Sequence, residues 1–445
     1  MGVSTIIENV KDNVLDIIDE YKNHYLSVGK DIYKNPETGY KEFRTTEKLV
    51  NLFTELGLNT IKDIAYTGCR AFSNEDKIGP KIALMGELDS VICPEHVDSN
   101  SETGAMHACG HNIQVTVMYG VAHALIKSGV LHELNGKIDF IGVPAEEYIE
   151  TEYREQLKKQ GKINYYSGKP ELLYRGILDD VNICMMVHNF PILESGYKVA
   201  PYNTGNGFIG KITRFMGVQS HAGAAPWEGI NALNMASLAM NGMSFQRETF
   251  KDSDKVRIHQ IITNGGQALN SVPSEVILET TVRASNIKAL SDANEKVNRS
   301  IKGAAIAIGG EAIVSDMPGQ MPMNPDINIS KVFLENAKRF YSDEEIMPYL
   351  ETTGSFDMGD ISHIMPVLHG ITSGITGGLH SKDYKIVSEE DAYIIPIKMM
   401  ALTIIDLLYD NAEKAKDIIK SFKPIMTKDK YLNYLKEVEK IHVYK

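Results

Sequence analysis

The chain has 445 residues, 43% of them apolar and 23% charged, which is enough for two domains with sizeable cores. Its net charge of −12 argues against a nucleic-acid partner, and no apolar run reaches the roughly 18 residues a membrane span needs. Four cysteines (Cys69, Cys93, Cys109, Cys184) are too few for a disulfide framework at this length, so a reducing, cytoplasmic setting is expected. The N-terminus lacks the basic, apolar, small-residue order of a secretory signal. Met1-Gly2 would open a myristoylation pattern, but Ile6 stands where Ser or Thr is required.

In chain order, Ile7, Val10, Val14, Ile17, Ile18, Tyr21 and Tyr25 recur with helical period, predicting a helix across residues 5–30. Asn35-Pro36-Glu37-Thr38-Gly39 is a turn. Thr45 or Thr46 is expected to cap a helix that Gly57 ends. Lys81 to Gly86 reads as a buried strand, with Glu87 and Asp89 at its carboxyl end, where open α/β sheets place their sites. A helix through Val115–Ile126, strand 138–143 and an apolar run from Asp180 to Val187 follow. This alternation predicts a mostly parallel α/β sheet flanked by helices. From Phe208 to Asp316 the order becomes βαββαβ, a compact α+β unit inserted into the larger domain. The expected division is 1–204 and 319–445 for the larger domain and 205–318 for the insert. The Lys-rich stretch 411–445 is expected to be a helical appendage.

The chemistry gathers at Met106-His107-Ala108-Cys109-Gly110-His111-Asn112. Alternate residues of an extended segment point the same way, so two of His107, Cys109 and His111 can face one cation. Glu146 and Glu147 follow the apolar run 138–143. Two carboxylates at a buried strand end are costly without a cation or a shared proton. His188, His221 and His380 lie further on. A lone buried His is more often a hydrogen-bonded core residue than a ligand, and a lone Cys a small buried hydrophobe. Together, thiolate, imidazole and carboxylate suit zinc, manganese, cobalt or nickel better than calcium or magnesium.

Several of these words, in this order, resemble the M20 metallopeptidase and amidohydrolase family, in its aminoacylase and aminobenzoyl-glutamate hydrolase branch. They are Asn35-Pro36-Glu37-Thr38-Gly39-Tyr40, His107-Ala108-Cys109-Gly110-His111-Asn112, Pro144-Ala145-Glu146-Glu147, Ser220-His221-Ala222-Gly223, Asn264-Gly265-Gly266-Gln267-Ala268-Leu269-Asn270 and Gly378-Leu379-His380-Ser381. The resemblance implies a zinc-peptidase-like α/β domain with an inserted dimerisation lid, and a homodimer. It implies one or two divalent transition-metal ions, manganese or zinc first, held by Cys109, His111, Glu147, His188 and His380, with Cys109 bridging. It makes Glu146 the general base and gives His221 an oxyanion role reaching a partner subunit's site. It assigns Asn270, Arg283 and Gly354 to the substrate.

Three departures touch specificity rather than the reaction class. Glu87-Leu88-Asp89-Ser90 replaces Asp-x-Asp-Ala, His111-Asn112-Ile113-Gln114 replaces His-Asp-x-His, and Phe356-Asp357-Met358 follows Gly354-Ser355. The expected activity is hydrolysis of an amide in an N-acyl amino acid, an aminobenzoyl-glutamate-like compound or a dipeptide. The alternatives are a binding or regulatory homologue that holds metal poorly and a thiol enzyme using Cys109. The thiol enzyme lacks a Cys-x-x-Cys or other resolving partner.

Overall fold

The computed structural model describes residues 3–192 and 195–445; Met1 and Gly2, with the lipidation pattern set aside above, lie outside them. The described chain divides into two compact units. One comprises Met1–Asn203, Asn324–Leu350 and Ile361–Ile425, and the other Thr204–Met323, Glu351–Asp360 and Met426–Lys445.

The first unit is built on a seven-stranded sheet in the order Asn59–Ile64, Gly68–Ser73, Lys137–Val143, Lys81–Glu87, Ile183–Asn189, Val367–Thr372, Val199–Ala200. The four inner strands from Lys137–Val143 to Val367–Thr372 are parallel, and the flanking pairings are antiparallel. The inner strands are buried along nearly their whole length because helices cover both faces. Helix His111–Lys127 is buried along nearly its whole length, its polar His111, Asn112, Gln114 and His123 included.

The helix expected across 5–30 is broken at Tyr21 into Val3–Glu20 and Lys22–Tyr33. The helix expected to begin at Thr45 or Thr46 starts earlier, as Phe43–Glu55. The Glu37 carboxylate from the preceding turn accepts the Arg44 and Thr45 N–H groups at 2.9 and 2.8 Å. A distant side chain thus does the work assigned to a local cap. Gly57, at φ 80°, follows the helix end as expected.

In the second unit an antiparallel sheet runs Arg257–Asn264, Glu275–Ala284, Gly207–Met216, Glu311–Pro318, Ile441–Tyr444. Helices Ala232–Phe245 and Ile287–Ile308 pack their buried residues into one core with it. Glu275–Ala284 alternates between buried and half-buried residues at every position, the mark of a one-faced sheet. The sequence reading of 411–445 as a helical appendage needs correction. Glu413–Ser421 and Lys428–Val438 are helical, but Ile441–Tyr444 is a fifth strand on Glu311–Pro318. Its alternation of Ile, His, Val and Tyr is a strand signal too short to stand out beside two amphipathic helices. Glu351–Asp360 also belongs to this unit rather than to the larger domain. The buried Asp360 carboxylate accepts the Tyr431 hydroxyl at 2.9 Å and the Met321 N–H at 3.2 Å.

Candidate active site

The carboxyl ends of the parallel strands bring the site together. Glu87 closes Lys81–Glu87, His188 is the penultimate residue of Ile183–Asn189, and Glu146 and Glu147 follow Lys137–Val143. Gly110, at φ 83°, turns the chain from Cys109 into helix His111–Lys127. A residue with a Cβ would be strained at that turn. Ala145, at φ 51°, is a second left-handed turn, held on both sides. Its N–H donates to Glu42 Oε1 at 2.7 Å and its carbonyl accepts the Gly168 N–H at 3.2 Å. A Cβ on Gly168 would fall 1.8 Å from the Pro144 carbonyl, so the start of helix Gly168–Tyr174 sits directly on this elbow.

Two sets of ligand atoms share one sulfur. Those of Cys109, His111 and His188 lie within 4.8 Å of one another, as do those of Cys109, Glu147 and His380. Cys109 Sγ is 3.6 Å from His188 Nε2, and His380 Nε2 is 2.9 Å from Glu147 Oε1. Of the three alternating residues, Cys109 and His111 enter the clusters. His107 does not: it is buried, and neither ring nitrogen has a hydrogen-bond partner. The segment is extended only through Met106, and helix His111–Lys127 begins four residues after His107.

The imidazoles are pre-oriented. His111 Nδ1 lies 2.9 Å from the Asp89 carbonyl, and His188 Nδ1 lies 2.8 Å from the Asn189 carbonyl. A carbonyl only accepts, so Nδ1 carries the proton and Nε2 turns its lone pair toward the cluster in the neutral ring. The Asp89 carboxylate also accepts the Glu147 N–H at 2.9 Å, and buried Arg154 donates to the Glu147 and Tyr166 carbonyls.

The electrostatics follow from this crowding. Burial and the Glu147 charge push the Cys109 thiol up; the imidazoles of His111 and His188, when protonated, outweigh them and bring it down to about 6. Burial disfavours charge on His380, but hydrogen bonds with Cys109 and Glu147 raise it to about 11. His107 is pushed down to about 3 by burial and by the His111 charge. His111 Nε2 and Glu147 Oε1 are buried and lack a hydrogen bond of ordinary geometry, although Glu87 Oε2 lies 3.1 Å from the first and His380 Nε2 2.9 Å from the second. Buried polar atoms of this kind are rare unless something binds them. Thiolate, imidazole and carboxylate donors around such atoms fit a divalent transition metal.

Glu146 stands beside the clusters, its carboxylate 4.0 Å from His111 Nε2. The remaining candidates lie in the second unit and form two groups. His221 is exposed, and its Nδ1 accepts the Gly223 and Ala224 N–H groups at 3.2 and 3.0 Å. That fixes the neutral tautomer with the proton on Nε2, a donor facing outward. Asn270 is its neighbour, accepting the Ala222 N–H at 2.9 Å. Arg283 donates to Ser355 at 2.6 Å, next to Gly354, and its guanidinium lies 5.1 Å from the Phe208 ring centre. The sequence reading gave no role to Asp89, Arg154 or Lys169. Asp89 was visible at its strand end, but nothing in Gly168-Lys169-Pro170 signals a fully buried lysine.

The sequence matches Peptidase family M20/M25/M40 over residues 83–406, well over half of the chain. It is 26% identical to a mouse Xaa-Arg dipeptidase, over 96% of this chain and 95% of that protein. It is also 26% identical to one of the p-aminobenzoyl-glutamate hydrolase chains of Escherichia coli (strain K12), over 65% of this chain and 57% of that one. Among solved structures, the fold superposes on the Bacillus subtilis YXEP protein, a dinuclear metal-binding peptidase of family M20. That likeness has a TM-score of 0.66 at 21% identity and covers 88% of this chain and 99% of the other. An aminobenzoyl-glutamate utilization protein from Klebsiella pneumoniae gives a TM-score of 0.64 at 16% identity, over 89% and 98% of the two chains. The chain belongs to peptidase family M20 and is a hydrolase of amide or peptide bonds.

Proposed function

We propose that this protein hydrolyses the amide bond of a small N-acyl amino acid or dipeptide, with Glu146 as general base. The observation that carries the reading is the pair of ligand sets sharing Cys109, with the Glu146 carboxylate beside them. Cys109, His111 and His188 would hold one cation and Cys109, Glu147 and His380 a second, manganese or zinc suiting this donor set. When bound, such cations acidify a water and polarise a carbonyl.

The chain's own groups do the rest. Glu146 takes the proton of the attacking water as its oxygen adds to the carbonyl carbon, then returns that proton to the leaving nitrogen as the C–N bond breaks. The products are a carboxylate and an amine. His221, whose Nε2–H is set by its backbone contacts, donates to the developing oxyanion. We assign its delivery to a second copy of the chain in a homodimer formed through the second unit. Arg283 and Ser355, with Gly354 and Asn270, are suited to a substrate carboxylate, since guanidinium and carboxylate pair as forks. The names of the relatives, a dipeptidase and an aminobenzoyl-glutamate hydrolase, support this substrate range. Four free, buried cysteines suit a cytoplasmic setting.

The test is turnover on a panel of N-acyl amino acids, aminobenzoyl-glutamate and dipeptides, with manganese or zinc added to chelator-treated protein. Metal-dependent release of a free amino acid is expected. No turnover on any member, by protein shown to carry metal, overturns the reading.

A further inference from the structure

Glu87 belongs to neither of the ligand sets that share Cys109, yet its side chain is aimed at one of them. Its Oε2 lies 3.1 Å from His111 Nε2. Ligand atoms of Glu87, His111 and Glu146 form a third set within 4.8 Å of one another. Because Nδ1 of His111 donates to the Asp89 carbonyl, its Nε2 in the neutral ring is a lone pair. A carboxylate oxygen facing a nitrogen lone pair at this distance is repulsive unless a proton or a cation lies between them.

The rest of the Glu87 side chain is fixed. Oε1 accepts from Lys169 Nζ at 2.5 Å, and Oε2 accepts the Gln114 side-chain amide at 2.9 Å. The Glu87 N–H donates back to Gln114 at 3.2 Å. Lys169 is fully buried and Glu87 nearly so. With Oε1 held by Lys169, only Oε2 remains to reach the His111 side, so the carboxylate is set for monodentate contact. A buried ammonium this close to a cation site would repel the cation unless a carboxylate lay between them, and Glu87 occupies that place.

We propose that Glu87 is a further ligand of the metal position formed by Cys109, His111 and His188, with Lys169 as its built-in counter-charge and Gln114 as the group that aims it. The inference rests on the metallohydrolase reading above. The competing account is a structural ion pair, which the buried Lys169–Glu87 contact alone would allow.

The experiment is calorimetric titration of chelator-stripped protein with manganese, with cobalt as a second probe read by its visible absorption. Wild type is compared with Glu87→Gln, Lys169→Met and the double variant Glu87→Gln/Lys169→Met. The double variant removes both charges and so guards against misfolding of the singles, since replacing a whole buried ion pair is often neutral for stability. Folding is checked by thermal melting.

We expect Glu87→Gln and the double variant to weaken one metal equivalent by about 10–100-fold, the range seen on removing groups that support a site, or by more. The equivalent held by Cys109, Glu147 and His380 keeps its affinity. Lys169→Met is expected to leave the affected equivalent unchanged or tighter, because a cation leaves its neighbourhood while the ligand stays. Wild-type affinity for every equivalent in the folded double variant overturns the proposal, and so does equal weakening by Lys169→Met and Glu87→Gln. Wild-type protein that takes up no metal would instead defeat the metallohydrolase reading itself.

Discussion

The main-chain N–H of His380 donates to the carbonyl of Ala108 at 2.9 Å. This bond ties the Gly-Leu-His segment near the end of the first unit to the residue just before Cys109. His380 adopts φ 57° there, a left-handed conformation that a non-glycine residue takes at a cost of order 1 kcal/mol. Its ring thereby reaches Glu147, 2.9 Å away. Residues distant in sequence are thus locked into one cluster by backbone geometry as well as by their side chains.

Glu146 and Glu147 are adjacent but differently placed, and their substitutions should separate. Glu147 belongs to the set with Cys109 and His380, whereas Glu146 belongs only to the set with Glu87 and His111. Glu146→Gln is expected to lower kcat by about 10²–10⁴-fold with metal content near wild type. Glu147→Gln is expected to lose metal as well as activity. Elemental analysis after gel filtration reads the difference, and equal metal loss in both variants would show that their roles are merged.

Much of this cluster was legible in the sequence, because its members stand at strand ends that apolar runs mark out. Glu146, Glu147 and His188 each follow or lie within such a run, whereas Cys109 and His111 are marked by their alternate spacing. The βαββαβ order of the second unit was legible for the same reason, since each element has its own period. What the sequence hides is contact between distant segments. Nothing in Gly168-Lys169-Pro170 announces that Lys169 will be buried against Glu87, and nothing in Ile441–Tyr444 announces a strand partner in Glu311–Pro318. The Glu37 cap on helix Phe43–Glu55 is of the same kind.

Arg154 is fully buried, and its guanidinium bridges the Glu147 and Tyr166 carbonyls. Lysine keeps the charge but not the planar fork, so Arg154→Lys is not conservative here. We expect a lower melting temperature and about 10–100-fold weaker binding at the metal position that uses Glu147. Thermal melting and metal titration check the two effects separately. A destabilised variant with unchanged metal affinity would limit Arg154 to holding the fold.

His123 lies outside the site, buried, with Nδ1 accepting the Tyr25 hydroxyl at 2.9 Å. Burial, reinforced by the charges of His24 and Lys127, pushes its pKa down to about 4. Unfolded, it titrates near 6.5, about the value for an unperturbed imidazole. The folded protein therefore binds this proton less readily than the unfolded chain. Its contribution to stability is present above about pH 6.5 and is lost as the pH falls toward about 4. His123→Gln removes the titration and keeps an acceptor for Tyr25. Urea unfolding at a series of pH values should show wild type losing more stability than the variant across that window, and parallel curves would contradict this.

His221 offers the most demanding test, because its proposed action needs a second copy of the chain. Its Nδ1 is taken by the Gly223 and Ala224 N–H groups, so the neutral ring presents Nε2–H as a donor. The bland alternative is that this contact is the whole purpose, an imidazole that simply closes the Ser-His-Ala-Gly turn. His221→Ala is expected to leave metal content unchanged and to lower kcat by roughly 10²–10³-fold, the loss of one oxyanion donor worth about 3–4 kcal/mol. A turn-closing role alone would lower the melting temperature without that loss. Mixing His221→Ala with Glu146→Gln chains then decides where the donor comes from. If it crosses between subunits, each mixed dimer holds one site with both an intact Glu146 and an intact His221, and activity returns in part. Differently tagged chains recovered in tandem show that exchange has occurred. Proven mixed dimers that stay as inactive as their parents would exclude donation in trans and leave closure within one chain as the route by which His221 acts.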